Sequence, residues 1–324
     1  MKNNTGHKIK CTVIVIMCVL LIITGCCAVT GIYVYNASVH SVNQERRALS
    51  CKAESLEKLG FDVDAFENQY KLREIEIKST FDGHTIPSYY FTVDGSYERD
   101  TVVLAHGLNG NRLTGYPVAE MFLRNGYNVL TYDQRASGES DAEYMTCGYW
   151  ESYDFGDCVR YVRSTAGDKV RIGGWGSSIG GATVGFYLGT KEAQNELSFA
   201  VLDCPVSDME EIIECFLTRK ESWIPAEFRT TTGSIVNHIM LGFGYEDGNV
   251  CDYVKSTTVP VLVFHTSNDS VTPFHMGSDI YNAMKNNRKK IVSVEDSRHT
   301  DIYLDHPEFY EETMMEFIRK DFSK

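Results

Sequence analysis

The first strong pattern along the chain is an apolar run, Cys11–Tyr35, in which no side chain is charged. A helix of this length, at about 1.5 Å per residue, can cross a hydrocarbon core of about 30 Å. Lys2, Lys8 and Lys10 precede the run, and cationic residues collect on the cytoplasmic side of membranes. The pattern predicts a membrane anchor over residues 1–35, with the rest of the chain outside the cell.

Two other interpretations of the apolar run remain open, a cleaved signal peptide and a lipoprotein signal. Ile23-Thr-Gly-Cys26 resembles a lipobox, whose cysteine would become the lipidated N-terminus. The apolar character nevertheless continues through Tyr35, whereas the apolar region of a signal peptide usually spans only about 7 to 15 residues. We therefore favour an uncleaved, single-pass anchor.

After the anchor, the pattern changes to alternating short apolar runs and helix-like segments. Residues 36–70 are polar and helix-like, and predict a lead-in to the domain. Residues 72–78 and 85–93 read as an antiparallel pair of strands, joined by a turn at Asp82-Gly83. From Thr101 onward strands and helices alternate, which is typical of a parallel sheet. We predict an α/β catalytic domain over residues 71–324, with strands at 101–105, 128–132, 169–175, 199–203, 259–265 and 290–294.

The interval between the strands at 199–203 and 259–265 is too long for a simple loop in a compact domain. We expect an inserted helical lid over about residues 205–258, with helices at 207–219 and 235–241. Several large apolar side chains in it could line an acyl pocket or form the core of the lid: Phe216, Trp223, Ile239, Met240 and Phe243.

The motif that most narrows the chemistry is Gly176-Ser-Ser-Ile-Gly180, which fits G-x-S-x-G around Ser178. It lies between the predicted strand at 169–175 and a predicted small-residue helix at 179–188. A serine on such a tight turn has a strained backbone, so its neighbours two residues away must be small. Gly176 and Gly180 meet that need, and the motif predicts Ser178 as a nucleophile.

A nucleophilic serine needs a base to take its proton and a carboxylate to orient that base. Asp269 follows the strand at 259–265, and His299 follows the strand at 290–294. Because the carboxyl ends of parallel strands share one edge of a sheet, Ser178, Asp269 and His299 should meet there. Asp296 and Asp301 flank the histidine, and we expect them to be solvated or to serve local turns.

Other nearby groups receive supporting roles. Ser177 is expected to form a helix-start hydrogen bond rather than to act as the nucleophile. The loop Ala105-His106-Gly107-Leu108 follows a predicted strand and can offer backbone N–H groups to an oxyanion. We predict Leu108 N–H and Ile179 N–H as the oxyanion hole, with His106 shaping the loop.

These motifs together resemble the α/β-hydrolase superfamily over roughly residues 71–322. Leu104-Ala-His-Gly107 is similar to the oxyanion loop of that family, and Asp133-Gln-Arg-Ala-Ser-Gly138 to its arginine loop, with Ala136 in place of the usual glycine. With the apolar N-terminus, the chain looks most like membrane-anchored bacterial cell-surface α/β-hydrolases near the serine aminopeptidase-like group. The resemblance implies an α/β-hydrolase fold and a serine hydrolase, but no particular substrate.

Charge and cysteine content restrict the partners. The formal net charge is −13, and the first 35 residues carry +3, so the remainder carries −16. This negative field argues against nucleic acid as a partner. Four of the 10 cysteines lie in the apolar run, and the other six show no metal-ligand spacing and predict buried free thiols, with the disulfide state open. No cofactor or metal is expected.

The sequence thus predicts a membrane-anchored serine hydrolase that cleaves a carboxylic ester in a small-molecule, lipid or peptide substrate. A serine peptidase, a thioesterase or an acyltransferase would use the same triad, so these alternatives stay open. A catalytically silent binding module of the same fold is the alternative from a different functional class. The filled catalytic positions argue against it.

Overall fold

The computed structural model describes residues 3–39 and 48–321, and it forms two compact units. The large unit contains the described residues of His40–Met209 together with Gly248–Lys324. The small unit contains those of Met1–Val39 together with Glu210–Asp247. Residues 40–47 of the predicted lead-in lie outside the described residues.

The large unit is built on an eight-stranded sheet with the order β1-β2-β4-β3-β5-β6-β7-β8. Strand β2 pairs antiparallel with β1 and with β4, and every other pair is parallel. The strands are β1 (Lys71–Lys78), β2 (Thr85–Thr92), β3 (Thr101–Ala105), β4 (Asn128–Tyr132), β5 (Ile172–Ser177), β6 (Leu197–Asp203), β7 (Val261–Thr266) and β8 (Lys289–Val294). Strands β3, β4, β5 and β7 are buried along their whole length, because helices flank a parallel sheet.

The helices are α1 (Asn3–Val39), α2 (Leu49–Lys58), α3 (Val63–Gln69), α4 (Tyr116–Arg124), α5 (Glu151–Ala166), α6 (Ile179–Leu188), α7 (Lys191–Glu196), α8 (Met209–Thr218), α9 (Ala226–Leu241), α10 (Val250–Val254), α11 (His275–Ala283), α12 (Ile302–Asp305) and α13 (Pro307–Asp321). The fold is a mostly parallel α/β sheet flanked by helices, as the alternating pattern predicts.

Helices α2 and α3 belong to the core of the large unit. Leu56 and Phe66 are buried in its main apolar cluster. The ring of Phe66 lies 5.0 Å from that of Phe91 on β2 and 4.7 Å from that of Tyr116 on α4. The described part of the lead-in is therefore packed against the sheet, where aromatic contacts of this kind add to the burial of apolar area.

The small unit joins the N-terminal helix to part of the insertion. Its segment Glu210–Asp247 contains most of α8 and all of α9, whereas α10 belongs to the large unit. The unit is therefore shorter than the lid expected at 205–258. Helix α9 begins at Ala226 rather than at Ile235, so the predicted helix there was too short.

The large apolar side chains of the insertion do not share one environment. Phe243 is buried, whereas Phe216, Trp223, Ile239 and Met240 are exposed. Trp223 has 92% of its surface accessible. These four side chains therefore do not form the core of the lid, which was one of the two roles considered for them.

Candidate active site

Ser178 lies at the turn between β5 and α6, with φ of 56° and ψ of −120°. This backbone conformation is unfavourable for a residue with a Cβ atom. The turn is possible because its neighbours are glycines. A Cβ on Gly176 would lie 2.2 Å from the carbonyl oxygen of Gly180, and one on Gly180 would lie 2.1 Å from that of Ala105. The close backbone approach therefore presents Ser178 at the carboxyl end of β5.

The structure brings the side chains of Ser178, His299 and Asp269 into one hydrogen-bonded chain. His299 Nε2 lies 3.0 Å from Ser178 Oγ, and His299 Nδ1 lies 2.7 Å from Asp269 Oδ2. Asp269 follows β7 and His299 follows β8, so both reach the same sheet edge as Ser178. These distances allow a proton to pass from the serine hydroxyl to the imidazole.

The carboxylate of Asp269 is fully buried, and neighbouring donors hold it in place. Its Oδ1 accepts hydrogen bonds of 2.8 Å from the backbone N–H groups of Val271 and Thr272. Burial alone would raise its pKa, but hydrogen bonds from His265 and His299, the charge of His299 and the backbone hold the pKa of this carboxyl well below its usual range. Asp269 therefore remains ionised and can stabilise an imidazolium.

Two contacts of Asp269 were not anticipated from the sequence. His265 Nε2 lies 3.5 Å from Asp269 Oδ2, and Thr272 Oγ1 donates to the same oxygen at 3.0 Å. The sequence contains a signal for both residues, because one ends the strand before Asp269 and the other closes the turn after it. Such second contacts fix the orientation of a carboxylate that must itself orient a histidine.

The loop after β3 lies directly against the serine. A Cβ on Gly107 would lie 3.3 Å from the Cβ of Ser178. His106 is buried, its Nδ1 lies 2.7 Å from the carbonyl oxygen of Gly107, and its Nε2 accepts from Gln134 N–H. Burial lowers the pKa of His106 to about 4, so it is neutral. It therefore ties this loop to the loop after β4, while Leu108 next along the chain is 40% exposed.

The remaining polar residues near the motifs have local partners. Ser177 ends β5, and Ser178 occupies the helix-start position, so the helix-start role predicted for Ser177 is wrong. Asp296 Oδ1 lies 2.9 Å from His306 Nε2, and Asp301 pairs with Arg298 at 3.1 Å. The two aspartates thus serve local contacts, as expected.

The arginine loop departs from its usual sequence at a strained position. Ala136 has φ of 52°, in the left-handed region that glycine adopts most easily. The loop is held by Asp133, which is buried and accepts from Arg112 N–H at 2.7 Å and from Glu139 N–H at 2.8 Å. The alanine is therefore accommodated at some conformational cost, without contact to Ser178, His299 or Asp269 in the hydrogen bonds described.

Cys204 is the one cysteine beside these three residues. Ligand atoms of Cys204, Asp269 and His299 lie within 4.8 Å of one another, an arrangement that a metal ion could in principle occupy. Burial raises the pKa of the Cys204 thiol well above its usual range, and metals bind the thiolate rather than the thiol. The set is therefore suited to proton transfer rather than to metal binding. All 10 cysteines are free.

Asp203, at the end of β6, is a buried carboxyl below the site. It accepts from Tyr310 Oη at 3.0 Å, and Tyr310 Oη accepts from Trp175 Nε1 at 2.8 Å. Burial raises its pKa from 3.8 to about 6, against the opposing effect of hydrogen bonds from Cys204 and Tyr310. The folded state therefore holds this proton more tightly than the unfolded state, and ionisation at neutral pH costs stability.

Asp203→Asn is expected to raise the free energy of unfolding by about 1–3 kcal/mol at pH 7.5, because a shift of one unit corresponds to about 1.4 kcal/mol. The amide keeps the acceptor for Tyr310 and carries no charge. Below pH 3.8 the wild-type carboxyl is protonated in both states, so the difference should vanish. Urea denaturation of both proteins at pH 4 and pH 7.5 measures this, and a gain that does not change with pH would contradict it.

Comparisons with known proteins agree with this architecture. Residues 100–240 match the family model described as alpha/beta hydrolase fold. The uncharacterized protein YqkD of Bacillus subtilis is 25% identical, over 80% of this chain and 83% of that protein. The lysophosphatidylserine lipase ABHD12 of Xenopus tropicalis is 24% identical, over 56% of this chain and 46% of that protein.

Solved structures show the same fold. The Pyrococcus furiosus esterase Pf2001 is similar with a TM-score of 0.61 and 22% identity, over 82% of this chain and 95% of that chain. The structure of Est1E from Butyrivibrio proteoclasticus, with ferulic acid bound, is similar with a TM-score of 0.58 and 19% identity, over 77% of this chain and all of that chain. The family match, the strand order and these likenesses together establish that the chain has the α/β-hydrolase fold.

Proposed function

We propose that this protein is a membrane-anchored serine hydrolase that cleaves carboxylic esters. The observation that carries the proposal is the hydrogen-bonded chain from Ser178 through His299 to the ionised Asp269. A serine with a positive φ at a strand-to-helix turn supports the same conclusion, because strain of this kind collects at functional sites.

In the proposed mechanism, Ser178 Oγ attacks the ester carbonyl carbon while its proton moves to His299 Nε2. Asp269 stabilises the resulting imidazolium through His299 Nδ1. The backbone N–H groups of Leu108 and Ile179 stabilise the oxyanion. His299 then gives the proton to the departing alcohol, which leaves an acyl group on Ser178, and water releases the acid by the reverse steps.

The preference for esters rests on the solved neighbours, several of which are esterases, and on the similarity to a lysophospholipid lipase. Peptides, thioesters and acyl transfer use the same groups, and nothing in the geometry of Ser178 and His299 favours one of them. A silent binding module would not need the backbone strain at Ser178 or the buried ionised Asp269. A hydrolytic function is therefore the better explanation of the site.

Helix α1 supports the membrane assignment. Residues Ile9–Val39 form a helix long and apolar enough to span a bilayer. The lysines before the apolar run favour a cytoplasmic amino end and a catalytic domain outside the cell.

The test is a fluorophosphonate, whose phosphorus is attacked by an activated serine with release of fluoride while the proton passes to His299. We expect one adduct per folded chain, on Ser178. Trypsin releases the peptide between Arg171 and Lys191, and fragmentation of that peptide by mass spectrometry distinguishes Ser178 from Ser177.

Heat-denatured protein is the control, because an unactivated serine should not react. An adduct on Ser177, or an unlabelled chain that is folded by circular dichroism, would count against the proposal. A series of p-nitrophenyl esters of increasing chain length then defines the preferred acyl group.

A further inference from the structure

The carboxyl-terminal turns of α1 pack closely on α9 within the small unit. A Cβ on Gly31 would lie 2.5 Å from the carbonyl oxygen of Thr232, and one on Gly233 would lie 2.5 Å from Val34 Cγ1. Ser38 Oγ also lies 2.7 Å from the hydroxyl of Tyr245, next along the insertion. Glycines at both faces let the two helix backbones approach, as they do between membrane helices. Helix α1 and the insertion are therefore one packed body.

The contact lies at the end of the membrane span. The side chains of residues 9–29 are exposed except Cys27, which is half-buried, whereas Gly31, Val34 and Tyr35 are buried. The exposed stretch is about 31 Å long at about 1.5 Å per residue, which matches a hydrocarbon core of about 30 Å. When this stretch fills the core, the turns that pack on α9 lie at the level of the lipid headgroups.

The opposite side of α9 carries large apolar side chains without cover. Phe228, Ile235 and Ile239 are spaced by seven and four residues, so they lie on one helix face. They are 44%, 56% and 74% exposed. Met240 at 59% and Trp223 at 92% extend the apolar surface. We call these five residues the lid face.

Continuity with the span identifies what covers this surface. An amphipathic helix at headgroup level buries its apolar face about 5–10 Å into the boundary of the acyl region. Tryptophan prefers this layer, because its ring is apolar and its N–H is polar. The insertion carries seven acidic and three basic residues between Glu210 and Asp247, so attraction to anionic lipid is not the cause.

We propose that the lid face docks into the interfacial layer of the bilayer that α1 spans, so that anchor and lid form one membrane-seated body. The inference rests on the membrane assignment in the proposed function. The insertion is rooted beside the candidate nucleophile, because Val206 N–H donates to the carbonyl oxygen of Ser178 and Met209 N–H to that of Gly248. An ester that partitions into the same membrane is therefore the substrate class that this arrangement serves.

The test uses the full chain in nanodiscs whose phosphatidylcholine carries bromine on its acyl chains, which quenches tryptophan at short range. Trp150 and Trp175 also emit, so Trp223→Phe is measured in parallel and subtracted. We expect brominated lipid to lower the emission that depends on Trp223 by about twofold, given an interfacial depth of about 5–10 Å. The result should be the same in zwitterionic and anionic discs.

Trp223-dependent emission that ignores brominated lipid, or that responds only in anionic discs, would overturn the proposal. This readout does not depend on hydrolysis, so it remains valid if the proposed function fails. Quenching in parallel with an absent fluorophosphonate adduct would reject the function and keep the docking.

A second variant tests the substrate class. Ile235→Glu with Ile239→Glu is expected to lower the rate on a monoacylglycerol ester dispersed in the discs by about tenfold, because charge opposes insertion. The rate on water-soluble p-nitrophenyl butyrate should be unchanged. Ile235→Leu with Ile239→Leu keeps the surface apolar and should leave both rates unchanged, and equal losses on both substrates in the glutamate variant would contradict the proposal.

Discussion

Ser178→Ala is expected to lower kcat on p-nitrophenyl butyrate by roughly 10⁴- to 10⁶-fold. The substitution removes the oxygen that forms the acyl bond, and the remaining groups can only assist direct attack by water. The hydrogen bond of 3.0 Å to His299 is lost with the same atom. Initial rates on the full chain in detergent, with folding checked by circular dichroism, measure the effect.

Ser177→Ala provides the matched control. Ser177 is also a buried serine and is the immediate neighbour of Ser178, but it ends β5 rather than occupying the turn. Its loss should change kcat by less than about tenfold, which is the scale of a packing change near a site. A Ser178→Ala protein that keeps more than a tenth of wild-type activity would exclude this serine as the nucleophile.

The strands and their direction could be predicted from the sequence because each is short, apolar and bounded by turns. Strands β3 and β4 have the predicted bounds, and the antiparallel pair β1 and β2 was also expected. Strand β5 starts at Ile172 rather than at Lys169, because the charged residues before it lie outside the sheet. Period and flanking residues therefore carry enough information to define this sheet.

The meeting of Ser178, Asp269 and His299 could also be predicted, since all three follow strands that end at the same edge of the sheet. The contacts of Asp269 with His265 and Thr272 could not, because they depend on how the loop after β7 folds back. Sequence order places residues at an edge, but it does not specify side-chain contacts within a turn.

The early part of α9 was missed for a local reason. Thr230, Thr231 and Thr232 have low helix propensity and make a run of that kind look like a loop. In the structure each hydroxyl donates to the backbone carbonyl four residues earlier, which satisfies it within the helix. The packing of α9 on α1 joins segments about 200 residues apart, and no spacing rule could indicate it.

Gly180→Ala is expected to lower the free energy of unfolding of the large unit by about 3 kcal/mol or more, above the usual cost of overpacking. The new Cβ would lie 2.1 Å from the carbonyl oxygen of Ala105 and 2.6 Å from that of His106. Both are backbone atoms, and Ala105 pairs with Gly176 in the sheet. Relief of the clash would therefore require β3 and β5 to separate.

Gly115→Ala is the matched control for the loss of a glycine. A Cβ there would lie 3.3 Å from Leu104 Cδ1, the end of a flexible side chain, and Gly115 has φ of −83°, which alanine adopts easily. Its cost should stay below about 1 kcal/mol, because only a side chain must move. Urea denaturation followed by the fluorescence of the buried Trp175 compares the two variants. If both lose the same stability, the backbone clash at Gly180 is not what makes glycine necessary beside Ser178. If only Gly180→Ala is strongly destabilised, the same contact that fixes the strained serine also holds β3 to the nucleophile turn.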